Sequence, residues 1–507
     1  MEKFLYTPNT INRNYKLTMA YPSKEEFALS SLGYMWLSKI ADTTEGIDLK
    51  RISTDTPNLP FKNTDAIAFS MSFDFDYYGV FEILEKNNIP FFSSERNENQ
   101  PLIFAGGHVI TTNPRPYDKI FDFMMIGDGE DSFNEVLKLF KLGYDKKTLL
   151  EKLSEIEGIY VPNKTLKVKK CIAKLNSVIY TPVLNEKSYF KNTFIVELQR
   201  GCMNRCAFCT ASYLNFPFRS YSYKNIISAI DNGLKYTDKI ALLGAQITSH
   251  PDFNQIMDYI KTKMLAGEQI KLGISSLRTD SITAEIIKTL VLGGQKTSTI
   301  AIEAASEHLR KFINKNLTDK QIFNAVKICS ENGLTGLKIY SMIGIPTETQ
   351  DDIESFLTLA KKLKLEFKGF DLSFSFSSFV PKPNTPFERM PREETKSLEK
   401  KQKYLEKEFA KLGIESKFSS IKWDYWQTVL SRGDSSFGEF LVKTYQKGKG
   451  LSSFKSAMKE VGIDISKAVN GRAYDEEQPW DFIDIGISKT QLATELKRLK
   501  NISNRMI

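Results

Sequence analysis

The sequence is poor in the residues that usually carry metal and redox chemistry, with 5 cysteines and 3 histidines among 507 residues. It has no stretch near the ~20 consecutive apolar residues that a membrane-crossing helix needs. The opening residues Met1-Glu-Lys-Phe-Leu-Tyr-Thr-Pro8 lack the apolar run of an export signal. Low-complexity tracts are missing too, and 41% apolar with 26% charged residues is the composition of an ordinary folded chain. Charge of one sign is nowhere concentrated. The formal net charge of +9 is spread over interleaved acidic and basic residues, which does not indicate a dedicated nucleic-acid surface. These absences leave an expected cytoplasmic protein of two or three domains with no membrane partner.

What cysteine there is sits together. Three of the five lie in Gly201-Cys-Met-Asn-Arg-Cys-Ala-Phe-Cys209. A disulfide framework calls for an even number at spread spacings, in an exported chain. Structural zinc calls for a fourth ligand, yet Cys171 and Cys329 stand alone and His108, His250 and His308 form no pair. Three thiolates on a four-iron cluster leave one iron open, unlike the four-thiolate centres that only transfer electrons. Cys202, Cys206 and Cys209 are therefore the expected ligands of a catalytic [4Fe–4S] cluster whose open iron receives a substrate.

Upstream, Thr193–Gln199 reads as a strand, which places the cysteine loop at a strand's C-terminal end, where barrel enzymes carry their chemistry. Short apolar runs then alternate with amphipathic stretches. Strands are expected at Lys239–Leu243, Ile270–Ser275, Ser298–Ile302, Gly336–Met342 and Phe370–Phe376. Helices are expected near Lys224–Asn232, Phe253–Ala266, Ala284–Leu292, Asp319–Glu331 and Thr349–Leu363. Such alternation describes a parallel sheet with helices outside, here a partial (β/α)6 TIM-type barrel.

With those residues in place the chain resembles the radical S-adenosylmethionine (SAM) enzymes. The resemblance makes Cys202, Cys206 and Cys209 the cluster ligands and Phe208 the aromatic beside them. Leu243-Gly-Ala-Gln246 stands where the family binds the SAM amino group, although it departs from the commoner Gly-Gly-Glu form; Gly244 and Gln246 are the residues concerned. Ser276, in Ser275-Ser-Leu-Arg-Thr-Asp280, follows the third strand. Glu303, in Ile302-Glu-Ala-Ala-Ser306, follows the fourth, and with Arg310 it is expected at the SAM ribose and carboxylate. Gly344 and Pro346, in Ile343-Gly-Ile-Pro-Thr-Glu348, correspond to the segment against which adenine lies. Val380-Pro-Lys-Pro-Asn-Thr-Pro386 resembles the loop closing the barrel. Taken singly, Glu303 and Arg310 read sooner as a surface ion pair, and Gly244, Gly344 and Pro346 can be read as turn residues. Their order at successive strand ends is what joins them.

Before the barrel, Tyr15–Ala20, Asp65–Ser70, Leu102–Ala105 and Phe121–Ile126 read as strands and Lys24–Ile40 as helix, an open Rossmann-like sheet. Its Gly-rich turns, Gly106-Gly-His108 and Gly127-Asp-Gly-Glu130, read either as binding loops or as tight connections. This unit resembles the cobalamin-binding-type domain of fused radical SAM enzymes, without the Asp-x-His-x-x-Gly loop that supplies a histidine to cobalt. Cobalamin binding on the one hand, and another ligand or a structural role on the other, both stay open. The expected divisions are 1–157 for this unit, 158–192 for a linker, 193–392 for the barrel and 393–507 for a helical C-terminal region. In that last region Trp480 is expected to anchor the tail by packing. The resemblance implies SAM cleavage to a 5′-deoxyadenosyl radical, fed by a one-electron donor such as flavodoxin or ferredoxin, on an unknown substrate. Methyl transfer through cobalamin, a cobalamin-independent modification of RNA or a small molecule, and a non-catalytic iron–sulfur sensor are the outcomes it leaves.

Overall fold

The computed structural model describes residues 2–56 and 64–504. Its N-terminal sheet has six strands: β1 (Tyr15–Tyr21), β2 (Ile47–Ser53), β3 (Ala66–Ser70), β4 (Leu102–Gly106), β5 (Phe123–Met125) and β6 (Ile159–Tyr160). They lie in the order β2-β1-β3-β4-β5-β6, parallel except for the last pair. The sequence pattern misses β2, because Asp48, Lys50 and Arg51 break the apolar run that marks a buried strand. The single helix expected over 24–40 is two, Glu25–Ala28 and Leu32–Thr43, with Ser31 in extended conformation between them.

Both faces of this sheet are covered. On one, Tyr34, Phe104, Phe123, Phe133 and Leu137 form a core. On the other lies helix Tyr77–Lys86, buried on nearly every side. A helix apolar all round needs a second cover, and the C-terminal helices Phe437–Gln446 and Leu451–Val461 supply it. Phe454 meets Tyr78 at 6.3 Å and Tyr445 meets Phe81 at 5.6 Å between ring centres. Trp480 is 1% exposed and its Nε1–H donates to Glu388 Oε2 at 2.7 Å, so it anchors the tail.

The second sheet is a split barrel of parallel strands. Strands β7 (Phe194–Glu197), β8 (Lys239–Leu243) and β9 (Lys271–Ile274) form one part. The other part comprises β10 (Thr297–Glu303), β11 (Gly336–Ile343), β12 (Asp371–Ser378) and β13 (Glu415–Phe418). A bridge between Leu277 and Ile300 joins them. Periodicity anticipates six of these strands; β13, with the polar sequence Glu-Ser-Lys-Phe, extends the barrel into the region expected to be wholly helical. Crossover helices start at well-capped positions, among them capping boxes at Thr318 and Thr349, each cap contributing about 1 kcal/mol. Ile300, Ile302, Leu337, Ile339, Phe374 and Phe376 point outward into the helices. The inner face carries Ala241, Gly273, Thr299, Ala301, Ser373 and Ser375 at alternating positions, none fully buried, with the larger Ile195, Lys338 and Tyr340 in register beside them. A closed barrel fills that space with bulky branched side chains; this one keeps it open. No helix of the described residues is long and apolar enough to cross a membrane.

Candidate active site

The cysteine loop leaves β7 through a tight gate. Gly201 has φ +78°, and a Cβ there would lie 2.6 Å from the Asn215 carbonyl oxygen, so only glycine fits. Cys206 is buried, while Cys202 and Cys209 are half-buried. Burial pushes the Cys206 thiol up to about 12 and raises Cys209 as well. Lys315 and Arg278 pull Cys206 the other way, whereas the charges of Cys209 and Glu303 add to the rise. Thiols held like this are protonated at neutral pH, so a metal has to displace their protons on binding. Among the described residues no three His, Cys, Asp or Glu side chains close to single-ion distances. A four-iron cluster takes one thiolate on each of three separate irons, so its ligands stand wider apart than those around one zinc.

Around the loop the expected partners divide into two groups. Gln246 reaches it, with its Oε1 3.3 Å from Cys202 Sγ. Gly244 packs against Gln199 and Ile247, with room for little more than a hydrogen. Glu303 adopts φ +67° at the end of β10 and pairs with Lys315 Nζ at 3.1 Å, both beside Cys206. Left-handed backbone is uncommon for a glutamate and strained. Phe208 packs with Ile345, Met342 and Phe379 in an apolar cap over the barrel end, and the neighbouring Pro346 is half-buried. Ser276 is exposed in the loop after β9.

Two expected residues are turned elsewhere. Arg310, fully buried, donates to the carbonyls of Leu317 at 2.7 Å and Ala304 at 3.0 Å, to that of Ala305, and to Asp319. With its donors spent on the backbone, Arg310 shapes the turn that carries Glu303 and has no guanidinium edge left for a SAM carboxylate. Lys315 and Arg278, which periodicity and spacing did not single out, are the cations beside Cys206. Gly344 faces outward: a Cβ there would meet Leu398, and its N–H donates to Glu348 Oε2 at 2.7 Å. Burial pushes Glu348 up to about 7, against the opposing pull of Lys401.

The N-terminal unit faces the same place. His108, on the turn after β4, has Nε2 3.2 Å from Oγ1 of Thr210, the residue after Cys209. His108 is itself exposed, but the protein crowded around its ring lowers its pKa, followed by Lys382, with Asp74 acting in the other sense. Lys382, from the Pro-rich loop, pairs with Asp74 at 2.7 Å. Beside them, at the carboxyl ends of β1, β3, β4 and β5, lies a cavity of about 360 Å³. Phe69, Phe104, Met125 and Phe133 give it an apolar floor, Ser70, Ser72, Gly106 and Gly107 a polar rim, and Glu197, Arg200 and Asn215 close it from the barrel side. This is the switch point of the sheet, where strand order reverses and open α/β sheets bind ligands.

Comparison with known proteins agrees with this arrangement. Residues 34–162 match the family described as radical SAM proteins, N-terminal, and residues 196–360 match the radical SAM superfamily. An uncharacterized protein of Methanocaldococcus jannaschii, MJ0966, is 30% identical over 88% of this chain and 94% of its own. The uncharacterized methyltransferase PH0819 of Pyrococcus horikoshii is 26% identical over 68% of this chain and 75% of its own. The chain therefore belongs to the radical SAM superfamily, and it is an enzyme of that superfamily. Among solved structures, the radical SAM methyltransferase TsrM of Kitasatospora setae, with cobalamin and a [4Fe–4S] cluster bound, aligns with TM-score 0.55. It shares 13% identity and covers 74% of this chain and 77% of its own. The cobalamin-dependent SAM radical enzyme OxsB, with aqua-cobalamin and SAM bound, aligns with TM-score 0.54 and 14% identity over 97% of this chain and 79% of its own. At those identities the likeness is one of fold.

Proposed function

We propose that Cys202, Cys206 and Cys209 hold a [4Fe–4S] cluster at which SAM is cleaved, and that the N-terminal cavity holds the tail of a cobalamin, making the chain a cobalamin-dependent methyltransferase. One observation carries this reading: the cavity at the switch point of the N-terminal sheet is closed by barrel residues flanking the cysteine loop, so both cofactors would face one cleft. The donor set fits a cluster, with three thiolates on one loop and no fourth. The cavity, with its aromatic floor and glycine rim, fits one flat aromatic group and not a whole corrin, which would lie in the cleft outside it.

When bound, the cluster and SAM supply one-electron cleavage of the S–C5′ bond, giving methionine and a 5′-deoxyadenosyl radical. Cobalamin, when bound, supplies a methyl carrier. The chain's own residues orient and exclude. Gln246, Glu303, Lys315 and Arg278 lie around the cysteine loop and would hold the amino, ribose and carboxylate parts of SAM, while the half-buried Phe208 would provide an apolar wall for adenine. The Pro-rich loop seals the cleft by docking on the N-terminal unit, where Asn384 donates to the Thr112 carbonyl at 3.0 Å. The inner face of the barrel includes a cavity of about 590 Å³ that runs from Thr193, Lys239 and Lys271 at the strand starts to Leu243 and Ser275 at the strand ends, and it would give a substrate room. A small one-electron carrier of the flavodoxin or ferredoxin kind completes the system, in the cytoplasm. Residues 1–157 and 193–392, joined by 158–192, are proposed as the two cofactor-binding units, with the N-terminal unit running on to β6 and the barrel to β13.

Anaerobic reconstitution with iron and sulfide, with and without cobalamin, followed by dithionite and SAM, tests this. The expected products are 5′-deoxyadenosine and S-adenosylhomocysteine, with cobalamin retained after desalting. Cobalamin washing straight through, with 5′-deoxyadenosine still formed, would remove the methyltransferase half and leave the N-terminal cavity to another ligand. A fully loaded cluster that cleaves no SAM would overturn the whole reading.

A further inference from the structure

The cysteine loop begins and ends at one point. Gln199–Arg200 and Arg219–Ser220 form a short antiparallel ladder in which Arg200 stands opposite Arg219. Like charges opposed on a ladder repel, and here both turn to a single carboxylate. Arg200 Nη1 lies 3.2 Å from Asp128 Oδ1, and Arg219 Nη1 lies 2.7 Å from Asp128 Oδ2. Asp128 belongs to the N-terminal unit, on the Gly127–Glu130 turn that walls the cavity. It is itself fixed, its N–H donating to the Cys171 carbonyl at 3.0 Å and its Oδ2 accepting from the Ala173 N–H at 3.0 Å. All three side chains are largely shielded, at 14–17% exposure, so water screens the pairs little. Burial alone would raise the Asp128 carboxyl, but the two guanidinium groups outweigh it and keep the group below its ordinary value.

Other contacts make Asp128 critical for the returning, Arg219 end, since Arg200 is also held by Glu130 of the same turn. Arg200 keeps Glu197 at 3.0 Å and Glu130 if Asp128 is neutralised. Arg219 is left with carbonyls only, those of Ala173 at 2.9 Å and Pro217 at 3.2 Å. Lys170 holds the returning limb through the carbonyls of Leu214 and Phe216, each at 2.6 Å, but touches neither arginine in these contacts. We propose that Asp128 is a positioning residue that latches both ends of the cysteine loop to the N-terminal unit, and so sets how Cys202, Cys206 and Cys209 are presented. This rests on the cluster reading for its chemical meaning, although the latch is a property of the metal-free chain.

The test uses full-length Asp128→Asn, Asp128→Glu and Arg219→Gln. In the metal-free chain, limited trypsin cleavage at the exposed Arg205 is followed by mass spectrometry, well below the melting temperature of each variant. Local opening sets that rate when cleavage is slow relative to reclosing. D128N should be cut several-fold faster than the parent, D128E should return close to the parent rate, and R219Q should resemble D128N. In the loaded chain D128N should release iron to a chelator several-fold faster and show an altered EPR spectrum of the reduced cluster. If D128N fails to fold, R219Q carries the same measurement from the other side. Cleavage at the parent rate together with an unchanged EPR spectrum would overturn the latch while leaving the cluster intact. A parent chain that takes up no cysteine-dependent iron would instead overturn the cluster reading, and the proteolysis alone would then decide the latch.

Discussion

The two sheets are built from the same unit, a parallel strand followed by a helix, yet they end in opposite states. The N-terminal sheet is packed on both faces, with a cavity of about 360 Å³ at its switch point. The barrel packs its outer face and lines its inner face with mostly small or hydroxylated residues, Lys338 and Tyr340 of β11 being the large ones. The difference lies in the alternate strand positions. In β3 and β4 the first four residues of each are buried, as a strand covered on two sides demands. In β12 buried Phe374 and Phe376 alternate with half-buried Ser373 and Ser375. Stability is thus drawn from both faces of one sheet and from one face of the other, which leaves the barrel a spare inner face.

The comparison can be broken most completely at the cysteine loop. Cys206→Ala should abolish 5′-deoxyadenosine formation and leave sub-stoichiometric iron, while far-UV circular dichroism stays that of the parent; a variant that still cleaves SAM would refute the ligand assignment. A large effect on stability belongs to the packed sheet. Phe123→Ala, removing a fully buried ring stacked 4.4 Å from Phe104, should cost about 3–5 kcal/mol in chemical denaturation. Smaller is the pH effect at Glu348. Its folded-state pKa, raised by burial from the usual 4.5 to about 7, makes its protonated form the favoured one, so its contribution is present below pH 4.5 and is lost as pH rises through 7. Glu348→Gln should therefore flatten the fall of the thermal midpoint across that window; an unchanged slope would mean that Lys401 cancels the burial. Least affected should be the open face, where Ser375→Ala is expected within about 0.5 kcal/mol of the parent. A cost like that of Phe123→Ala would show that face to be packed after all.

Much of this was legible in the chain. The spacing of Cys202, Cys206 and Cys209 and the strand–helix period needed no coordinates, because both are written in near neighbours. What escaped was decided by distant contacts. Arg310 reads as a free cation near a site, but burial among carbonyls makes it a structural tie. Lys315 carries no local signal, since its position beside Cys206 depends on the turn that Arg310 shapes. Strand β13 is hidden because an edge strand with one half-open face needs little apolar periodicity. Asp128 was visible only as part of a glycine-rich turn, and its two arginines lie 72 and 91 residues further on.

The cover over helix Tyr77–Lys86 has a consequence for how the chain is made. The helix and the sheet beneath it are complete by Tyr160, whereas Trp426, Phe440 and Phe454, which close its outer side, are synthesised roughly 270 residues or more later. At about 5–20 residues per second, a ribosome exposes that apolar surface for on the order of 15–50 s. During that interval the nascent chain carries a greasy stripe with nothing of its own to cover it, and it depends on a chaperone or on slow collapse to stay productive.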